Sequence, residues 1–443
     1  MISNTKCNKK ELKISDKKCI VSFDGEEQSS DGGFILISKI DQKLGITKRL
    51  SCLIKDKRNP SYIKHNLETL IQQRIYGICQ GYEDCNDHDL LRHDKLLQLV
   101  LGQEDSLASQ PTLCRFENES DSETVYNLEE YLMDNFVTSL SKKDRNIMLD
   151  IDPTDDQTYG AQQLTFFRGY YNKYMYYPLL VYHYPTGRLA AAMLRPGNAG
   201  GSEDSSDLLT RLIKKIKKRF PNSRIIVRGD CAFGHSEILD TLENLNRELG
   251  KISYTLGISS NNVLKERSQR KFDSTLIKWE LESSTEKSLI KYGSMKYKAK
   301  SWSCQRRVIY KVEISSKKKS RRFIVTNMRK APSKSYEEYR KRGQCENWIN
   351  DFKNGVDGDR LSCTDWFTNQ FRFFMHSFSY VIMNEFRLLN KNTEYSVMRL
   401  WNLRLKLLKV SVLIKKTTRA IRLRLPISFP FQKRWLELLT ELK

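Results

Sequence analysis

Five polar side chains of mixed chemistry recur at near-helical intervals in one stretch of the chain. They are Tyr339, Arg342, Glu346, Asn350 and Lys353. At about 100° per residue they share one face of a helix. The adjoining apolar stripe consists of Cys345, Trp348, Ile349 and Phe352. A glutamate can ligate a hard cation, and arginine and lysine neutralise phosphate oxygens. The polar face therefore suits a metal-bound phosphodiester, although a solvated helix face laced with ion pairs has the same composition.

Further carboxylates stand at the ends of two expected strands. Residues 147–152 alternate between apolar and acidic, so that Asp150 and Asp152 leave one face together, and Asp230 follows a second expected strand. Ligands at the carboxyl ends of strands in an open α/β sheet meet at one edge. With Glu346 from a later helix, Asp152 and Asp230 make the three carboxylates that a two-metal phosphoryl-transfer site needs. Asp150 is the reserve candidate for the first ligand.

The composition points to a polyanionic partner. The chain has 443 residues, enough for two to four domains, and its 76 Lys and Arg against 53 Asp and Glu leave a formal charge of +23. Double-stranded DNA is the first candidate partner, and an anionic membrane surface fits the charge equally well. No apolar run approaches the ~18 residues of a spanning helix, and the first residues lack the apolar region of a signal peptide. We therefore expect a soluble, intracellular protein without membrane contact.

The cysteines and one acid-rich segment could have indicated metal sites. The ten cysteines contain no C-x-x-C pair and no zinc-ligand spacing, so reduced thiols are expected. Residues 81–89 combine acids with His88, but helix capping and turn chemistry explain the aspartates and asparagine without a ligand role.

The apolar periodicity divides the chain into five parts. They are a separate, mainly helical module (1–140), a strand, hairpin, helix, strand and helix in α/β order (141–252), a β-rich insertion (253–330), a part with the Glu-bearing helix and an aromatic-rich helix (331–390), and a basic C-terminal region (391–443). Within the insertion, residues 277–281 and 308–314 are expected to be strands. The aromatic-rich helix is expected to pack the core through Phe367, Phe371, Phe374, Phe378 and Tyr380.

The spacing of four polar residues resembles a family signature. The pattern Tyr-x2-Arg-x3-Glu-x6-Lys, filled by Tyr339, Arg342, Glu346 and Lys353, is similar to that of one large group of bacterial insertion-sequence transposases of the DDE type. Asp152-Pro153-Thr154 looks like the first-aspartate segment of that group, and residues 228–233 are similar to its second. Stretches at 32–33, 86–89 and 107–113 resemble one subfamily, so the likeness covers most of the chain.

The resemblance implies an α/β fold with an RNase H-like catalytic core, a β insertion before the glutamate, and a mainly helical N-terminal DNA-binding region. It implies that Asp152, Asp230 and Glu346 hold two Mg²⁺ ions, for which Mn²⁺ may substitute. The implied reaction cuts the transposon ends and joins the freed 3′-hydroxyls to target DNA. A homodimer in a prokaryotic cytoplasm, associated with the nucleoid, follows from the same likeness.

Eight side chains are expected to touch DNA. They are Tyr339, Arg342 and Lys353 of the signature, Lys317, Lys318 and Lys319 of a basic turn, and Trp279 and Trp302 of the insertion. The signature cations would neutralise phosphates, and the phenol would hydrogen-bond or stack beside the cleaved strand. One tryptophan would hold an extruded base, with core packing as the alternative for both.

One position departs from the subfamily pattern. Tyr159 stands near Gly160-Ala161-Gln162, where the subfamily commonly has a histidine, and a phenol cannot match imidazole as a base or ligand at neutral pH. This departure bears on full activity and not on the fold. Two alternatives stay open: an RNase H-like nuclease without strand transfer, and a catalytically inactive, transposase-derived DNA-binding protein.

Overall fold

The first part of the chain is mainly helical. The computed structural model describes residues 9–281 and 288–443. Its first strands are β1 (Lys10–Ile14), β2 (Lys17–Val21) and β3 (Gln28–Ser29). Its first helices are α1 (Phe34–Leu44), α2 (Ile46–Leu53), α3 (Leu67–Gln80), α4 (His88–Leu91), α5 (Lys95–Val100), α6 (Gln110–Asn118) and α7 (Ser122–Ser139). Side chains cap three of these helices: Asn66 accepts from the Thr69 amide at 2.8 Å, Asp94 from the Leu97 amide at 2.7 Å and Asp121 from the Thr124 amide at 2.9 Å.

The middle of the chain alternates strands and helices. The strands are β4 (Asn146–Pro153), β5 (Asp156–Gln157), β6 (Phe166–Arg168), β7 (Lys173–Tyr176), β8 (Leu179–Tyr184), β9 (Arg188–Met193), β10 (Arg224–Gly229), β11 (Ile252–Ile258), β12 (Leu289–Tyr297), β13 (Arg306–Ile314) and β14 (Lys319–Thr326). The helices are α8 (Ser205–Arg219), α9 (Ser236–Leu249), α10 (Asn262–Arg267) and α11 (Gln269–Leu281). Eight strands form one sheet in the order β12-β13-β14-β11-β10-β4-β8-β9. Within it, β10 runs parallel to both β4 and β11.

The last part of the chain is again mainly helical. Its helices are α12 (Pro332–Arg340), α13 (Gln344–Gly355), α14 (Trp366–Leu389), α15 (Leu400–Leu403) and α16 (Gln432–Glu441), and its strands are β15 (Val412–Lys416) and β16 (Ile421–Arg424). A 3₁₀ turn at Lys341–Gly343 separates α12 from α13. Contrary to the prediction, the five polar residues from Tyr339 to Lys353 therefore do not lie on one continuous helix. Strand β15 pairs with β3, which returns the C-terminal part to the N-terminal helices.

The two faces of the large sheet are covered by different helices. On one face the alternating residues Ile147, Leu149 and Ile151 of β4 belong to an apolar cluster with α8 and α9. The predicted stripe of α8 is fully buried there, from Leu208 to Ile216. Lys217 departs from the expected basic side, because it is buried and donates to the Ser223 carbonyl at 2.7 Å. The predicted hairpin of β8 and β9 is confirmed.

The N-terminal helices share their core with the last helices. One apolar cluster contains residues of α1, α3 and α7 together with α13 and α14. The expectation of a separate N-terminal module is therefore wrong. A buried ion-pair network crosses the same boundary: Glu117 lies 2.7 Å from Arg74 of α3 and 2.5 Å from Arg372 of α14. Burial alone would raise the pKa of Glu117, but the two guanidiniums lower it to about 2.

The β-rich insertion differs from its prediction in two respects. The segment 277–281 is the end of α11 and not a strand, because Phe272, Leu276 and Trp279 recur at helical spacing and pack against the core. The strands β12, β13 and β14 are antiparallel neighbours. They extend the central sheet, since β14 pairs with β11. The expected boundary at 252–253 falls inside β11.

Other predictions concern single residues. In α14 the side chains of Phe371, Phe374, Phe378 and Tyr380 are buried as expected, but Phe367 is 37% exposed. Nine cysteines within the described residues are free thiols, and Cys7 lies outside those residues. Among the described helices, none has the length and apolar character needed to cross a membrane.

Candidate active site

The first two candidate carboxylates lie at one edge of the sheet. Strands β4 and β10 are parallel, and Ile151 is the register partner of Gly229. Asp152 directly follows Ile151 and Asp230 directly follows Gly229, so the two aspartates lie side by side at this edge. Asp150 is not available as a ligand, because its carboxylate is fully buried and both oxygens accept from Arg228, at 2.6 and 2.7 Å.

Asp152 is held by an arginine of the signature. The Nη1 of Arg342 lies 2.6 Å from Oδ2 of Asp152, and its Nη2 lies 3.9 Å from Oε1 of Glu346. Burial, together with the negative charges of Asp230 and Glu346, raises the pKa of Asp152 to about 7 against the opposing effect of Arg342. Asp152 therefore lies within electrostatic reach of the other two candidate carboxylates. Glu346 stands in the first turn of α13 with its side chain 73% exposed.

Tyr339 reaches the same edge because a glycine leaves room for it. A Cβ atom on Gly257 of β11 would lie 2.9 Å from the Tyr339 hydroxyl and 2.8 Å from the Cys231 amide. No larger residue fits at this position without moving one of these groups. Burial raises the pKa of Tyr339, Arg342 lowers it, and Asp230 raises it again. The phenol therefore lies within electrostatic reach of the candidate ligand Asp230 and of Arg342.

Lys353 lies about two turns after Glu346 along α13 and is held by aspartates. Its Nζ donates to the Asp155 carbonyl at 2.7 Å and lies 3.2 Å from Asp155 Oδ1 and 3.6 Å from Asp359 Oδ2. Lys173 pairs with Asp155 as well. Next to them Asp156 is fully buried, and neither of its carboxyl oxygens has a hydrogen-bond partner among the described residues.

The orphaned carboxyl of Asp156 predicts an unusual dependence of stability on pH. Burial raises the pKa of Asp156 well above its usual range, and Asp359 adds to the effect. The folded chain keeps a proton there that the unfolded chain loses above pH ~3.9, so this residue destabilises the fold as the pH rises beyond that value. Asp156→Asn should remove this slope. We expect the melting temperature of this variant, relative to that of the wild type, to increase as the pH is raised from about 5 to about 7.5.

The neighbouring carboxylate provides a control of opposite sign. Burial raises the pKa of Asp155, but its contacts with Lys173 and Lys353 prevail and lower it. Asp155→Asn should therefore lose stability relative to the wild type over the same pH range, in which the carboxylate is ionised. Parallel pH profiles for the two variants would contradict the assignment of a neutral Asp156.

The remaining predicted DNA contacts lie in the insertion. Lys317, Lys318 and Lys319 are exposed in the turn between β13 and β14. Because β14 continues four residues past the pairing of Phe323 with Ile258 at the end of β11, this turn projects about 13 Å beyond the edge that carries Asp152.

The two tryptophans differ from the expected base-holding role. Trp302 is 4% exposed and packs edge-on against Tyr297 at 5.5 Å, which is the core-packing alternative. Trp279 is partly buried against the same core. Tyr159, the departure from the subfamily pattern, is 69% exposed.

A comparison with protein families identifies the chain. The sequence model of the family described as Transposase DDE domain group 1 matches residues 12–443. The chain belongs to this family. The expectation of a DDE transposase is thereby confirmed, and the carboxylates at the sheet edge become the natural candidates for the acidic residues of a DDE site.

Comparisons with individual proteins add less about this DDE transposase. A cryo-EM structure of a piggyBac transposase synaptic complex with hairpin DNA matches with a TM-score of 0.39 and 12% identity, over 86% of this chain and 82% of that chain. A search of curated proteins gave no match.

The donor chemistry of the DDE transposase fits a divalent metal. Asp152, Asp230 and Glu346 offer only carboxylate oxygens, the ligands that Mg²⁺ prefers, and a cation would relieve the burial and repulsion that raise the pKa of Asp152. In the arrangement described for residues 9–281 and 288–443, no three His, Cys, Asp or Glu side chains stand close enough to hold one ion. Arg342 occupies Asp152 instead, and the exposed Glu346 has room to turn.

Two features of the transposase site were missed from the sequence. Arg228 lies in the segment 228–233 that resembles the second-aspartate segment, and no role was predicted for it, yet it pairs with Asp150 and donates to the Glu338 carbonyl of α12 at 2.6 Å. Arg228 thereby connects Asp150 of β4 to α12, the helix that carries Tyr339. Asp156 stands in the acidic run after Asp152, and no role was predicted for it. The density of acids in that run was the available signal.

Proposed function

We propose that this chain is the transposase of a bacterial insertion sequence, in the group with the Tyr-Arg-Glu-Lys signature. It binds the terminal inverted repeats, cuts the ends by metal-dependent hydrolysis and joins the 3′-hydroxyls to target DNA. The observation that carries the proposal is the placement of Asp152 and Asp230 at the ends of the parallel strands β4 and β10, with Arg342 within 4 Å of both Asp152 and Glu346, in a chain of the DDE family.

The topology supports an RNase H-like core. Three antiparallel neighbours, β9, β8 and β4, are followed by the parallel strands β10 and β11, with helices between the parallel strands. We assign the two parts of the core to residues 141–258 and 331–390, separated by the insertion. DNA binding is assigned to the N-terminal region and to the basic turn at Lys317, Lys318 and Lys319.

Each site residue has a distinct task in this proposal. Asp152, Asp230 and Glu346 would hold two Mg²⁺ ions. When bound, these ions supply Lewis-acid activation of the attacking oxygen and stabilise the leaving one. Arg342 moves from Asp152 to a phosphate oxygen. Lys353, which is held by Asp155 and Asp359, provides a second positive charge. Tyr339 forms a hydrogen bond beside the cut strand. A homodimer brings two ends together.

Cleavage of labelled DNA that bears the element's own ends tests the proposal. The wild type should cut in Mg²⁺ or Mn²⁺, leave a 3′-hydroxyl and transfer that end to a second duplex. Asp230→Asn should bind the same DNA at least as tightly, because a negative charge near phosphate is removed, while losing cleavage.

The alternatives give other results. If the wild type cuts the DNA but transfers no strand, and Asp230→Asn does not cut, the results would favour a nuclease. Tight binding without cleavage by either protein, in both metals, would favour an inactive DNA-binding protein. Cleavage retained in chelator would contradict metal-dependent hydrolysis.

A further inference from the structure

A cavity opens at the edge of the sheet opposite to the candidate active site. Its volume is about 650 Å³, and its lining includes Lys142, Arg145, Arg219 and Lys251 together with a single acid, Asp144. Arg145 immediately precedes β4, and Lys251 immediately precedes β11. From this edge, strand β4 runs about 20 Å to Asp152. A ligand here and one at Asp152 would occupy separate places.

The cations of this cavity lack acidic partners. The carboxylate of Asp144 is engaged by the Ser141 amide at 2.7 Å. Within the described part of the chain, none of the four cations lies within ion-pair distance of a carboxylate. Arg219 donates to the Thr138 hydroxyl at 3.2 Å, and Lys251 donates to the Asn222 carbonyl at 3.4 Å. Four positive charges thus converge around a single carboxylate, and this excess costs free energy unless a further anion binds.

Helix α8 shows that this is not a general feature of the surface. Earlier on the same helix, Arg211 contacts Glu129, Glu130 and Asp207, and Lys215 contacts Glu130 and Asp134. The helix dipole accounts for cations in the last turn of α8, including Arg219. It does not account for Lys142, Arg145 and Lys251, which come from two separate loops.

The backbone at Lys251 is strained. Its φ of +58° lies in the left-handed region, which a lysine rarely adopts. Strain of this kind is retained where it positions a functional group. Here it places an unpaired ammonium at the cavity.

We propose that this cavity is a second DNA-binding site, which holds the phosphodiester backbone of a duplex other than the one at the cutting edge. The assignment rests on the proposed function. Exposed Lys143, Lys218 and Arg224 extend the positive surface around the cavity. Leu140, Phe220 and Pro221 also line the cavity. None of the exposed large apolar side chains in the described residues belongs to the segments 140–145, 218–224 or 250–251, so cations dominate the exposed surface around it.

Charge reversal at the cavity tests the proposal. The variant Arg145→Glu with Lys251→Glu is compared with Lys391→Glu and Lys433→Glu, which makes the same charge change at two exposed positions elsewhere. Binding of a labelled duplex of about 20 base pairs without the element's ends is followed by anisotropy over a range of salt. The wild type and the control should bind two duplexes per chain and the cavity variant one. The salt slope of the cavity variant should be shallower by about 1.8.

A second variant and two readouts keep the outcomes separate. Lys142→Gln with Arg219→Gln neutralises the cavity without reversing it and should also lower the stoichiometry. Equal stoichiometry and slope in all proteins would overturn the inference. The inference would also be overturned if the cavity variants lose the binding of tripolyphosphate while their binding of the duplex equals that of the control. Cleavage of labelled ends is measured on the same wild-type preparation, because its absence would count against the proposed function and not against the cavity.

Discussion

Replacing Glu346 with glutamine is expected to lower the rate of metal-dependent DNA cleavage by at least ~10³-fold, because a metal ligand supplies several kcal/mol of transition-state stabilisation. The fold should not change. The Glu346 side chain is 73% exposed, and its ion pair with Arg342 at 3.9 Å is long and solvated. Such pairs contribute little to stability. Cleavage of labelled ends and the melting temperature, measured on one preparation, check both expectations.

A matched control lies on the adjacent helix. Glu337 of α12 is exposed as well, so Glu337→Gln makes the same chemical change without touching the sheet edge. It should cut at close to the wild-type rate. Full cleavage by Glu346→Gln would remove Glu346 from the ligand set. Equal loss in both variants would indicate a general effect of surface charge.

Replacing Glu117 with glutamine is expected to destabilise the fold by about 3–5 kcal/mol, because two guanidiniums remain buried without a counter-charge. Arg74 is 1% exposed and Arg372 is 7% exposed, so neither can turn to solvent. The network joins α3, α6 and α14, and its loss should loosen the N-terminal helices first. The shift of the urea midpoint measures the effect.

Two further variants separate the buried charge from the helix itself. Glu119→Gln, at an exposed position just after α6, should change stability by less than about 0.5 kcal/mol. The triple change Glu117→Leu, Arg74→Met and Arg372→Met should recover most of the loss, because it removes the buried charges together. A triple variant as unstable as Glu117→Gln would assign the loss to packing.

The positions of the candidate carboxylates were predictable, but their partners were not. Alternation in residues 147–152 fixes which side chains face away from Ile147 and Ile151, and a strand-end aspartate is visible in any α/β pattern. The pairing of Arg342 with Asp152 joins residues 190 positions apart. No local pattern encodes such a contact, since it depends on how α13 packs across β4.

In the insertion, a local sequence pattern led to a wrong prediction of a strand. Residues 277–281 contain two β-branched or aromatic residues among charges and satisfy a strand pattern over five residues. The helical repeat becomes visible only when Phe272 and Leu276 are included, and packing of that stripe decides the structure. The common core of the N-terminal helices and α14 could not be predicted from the sequence either, because it also depends on long-range packing.

The ion pair between Arg342 and Asp152 links two ligands that need not touch each other. On the proposed function, a phosphate that draws the guanidinium away leaves Asp152 free for a cation, and a cation on Asp152 releases Arg342 for phosphate. Linkage of this kind is reciprocal, so DNA and divalent metal must raise each other's affinity by the same factor. The free protein then carries its own counter-ion at 2.6 Å. Its capacity to cut is assembled only where DNA is already bound.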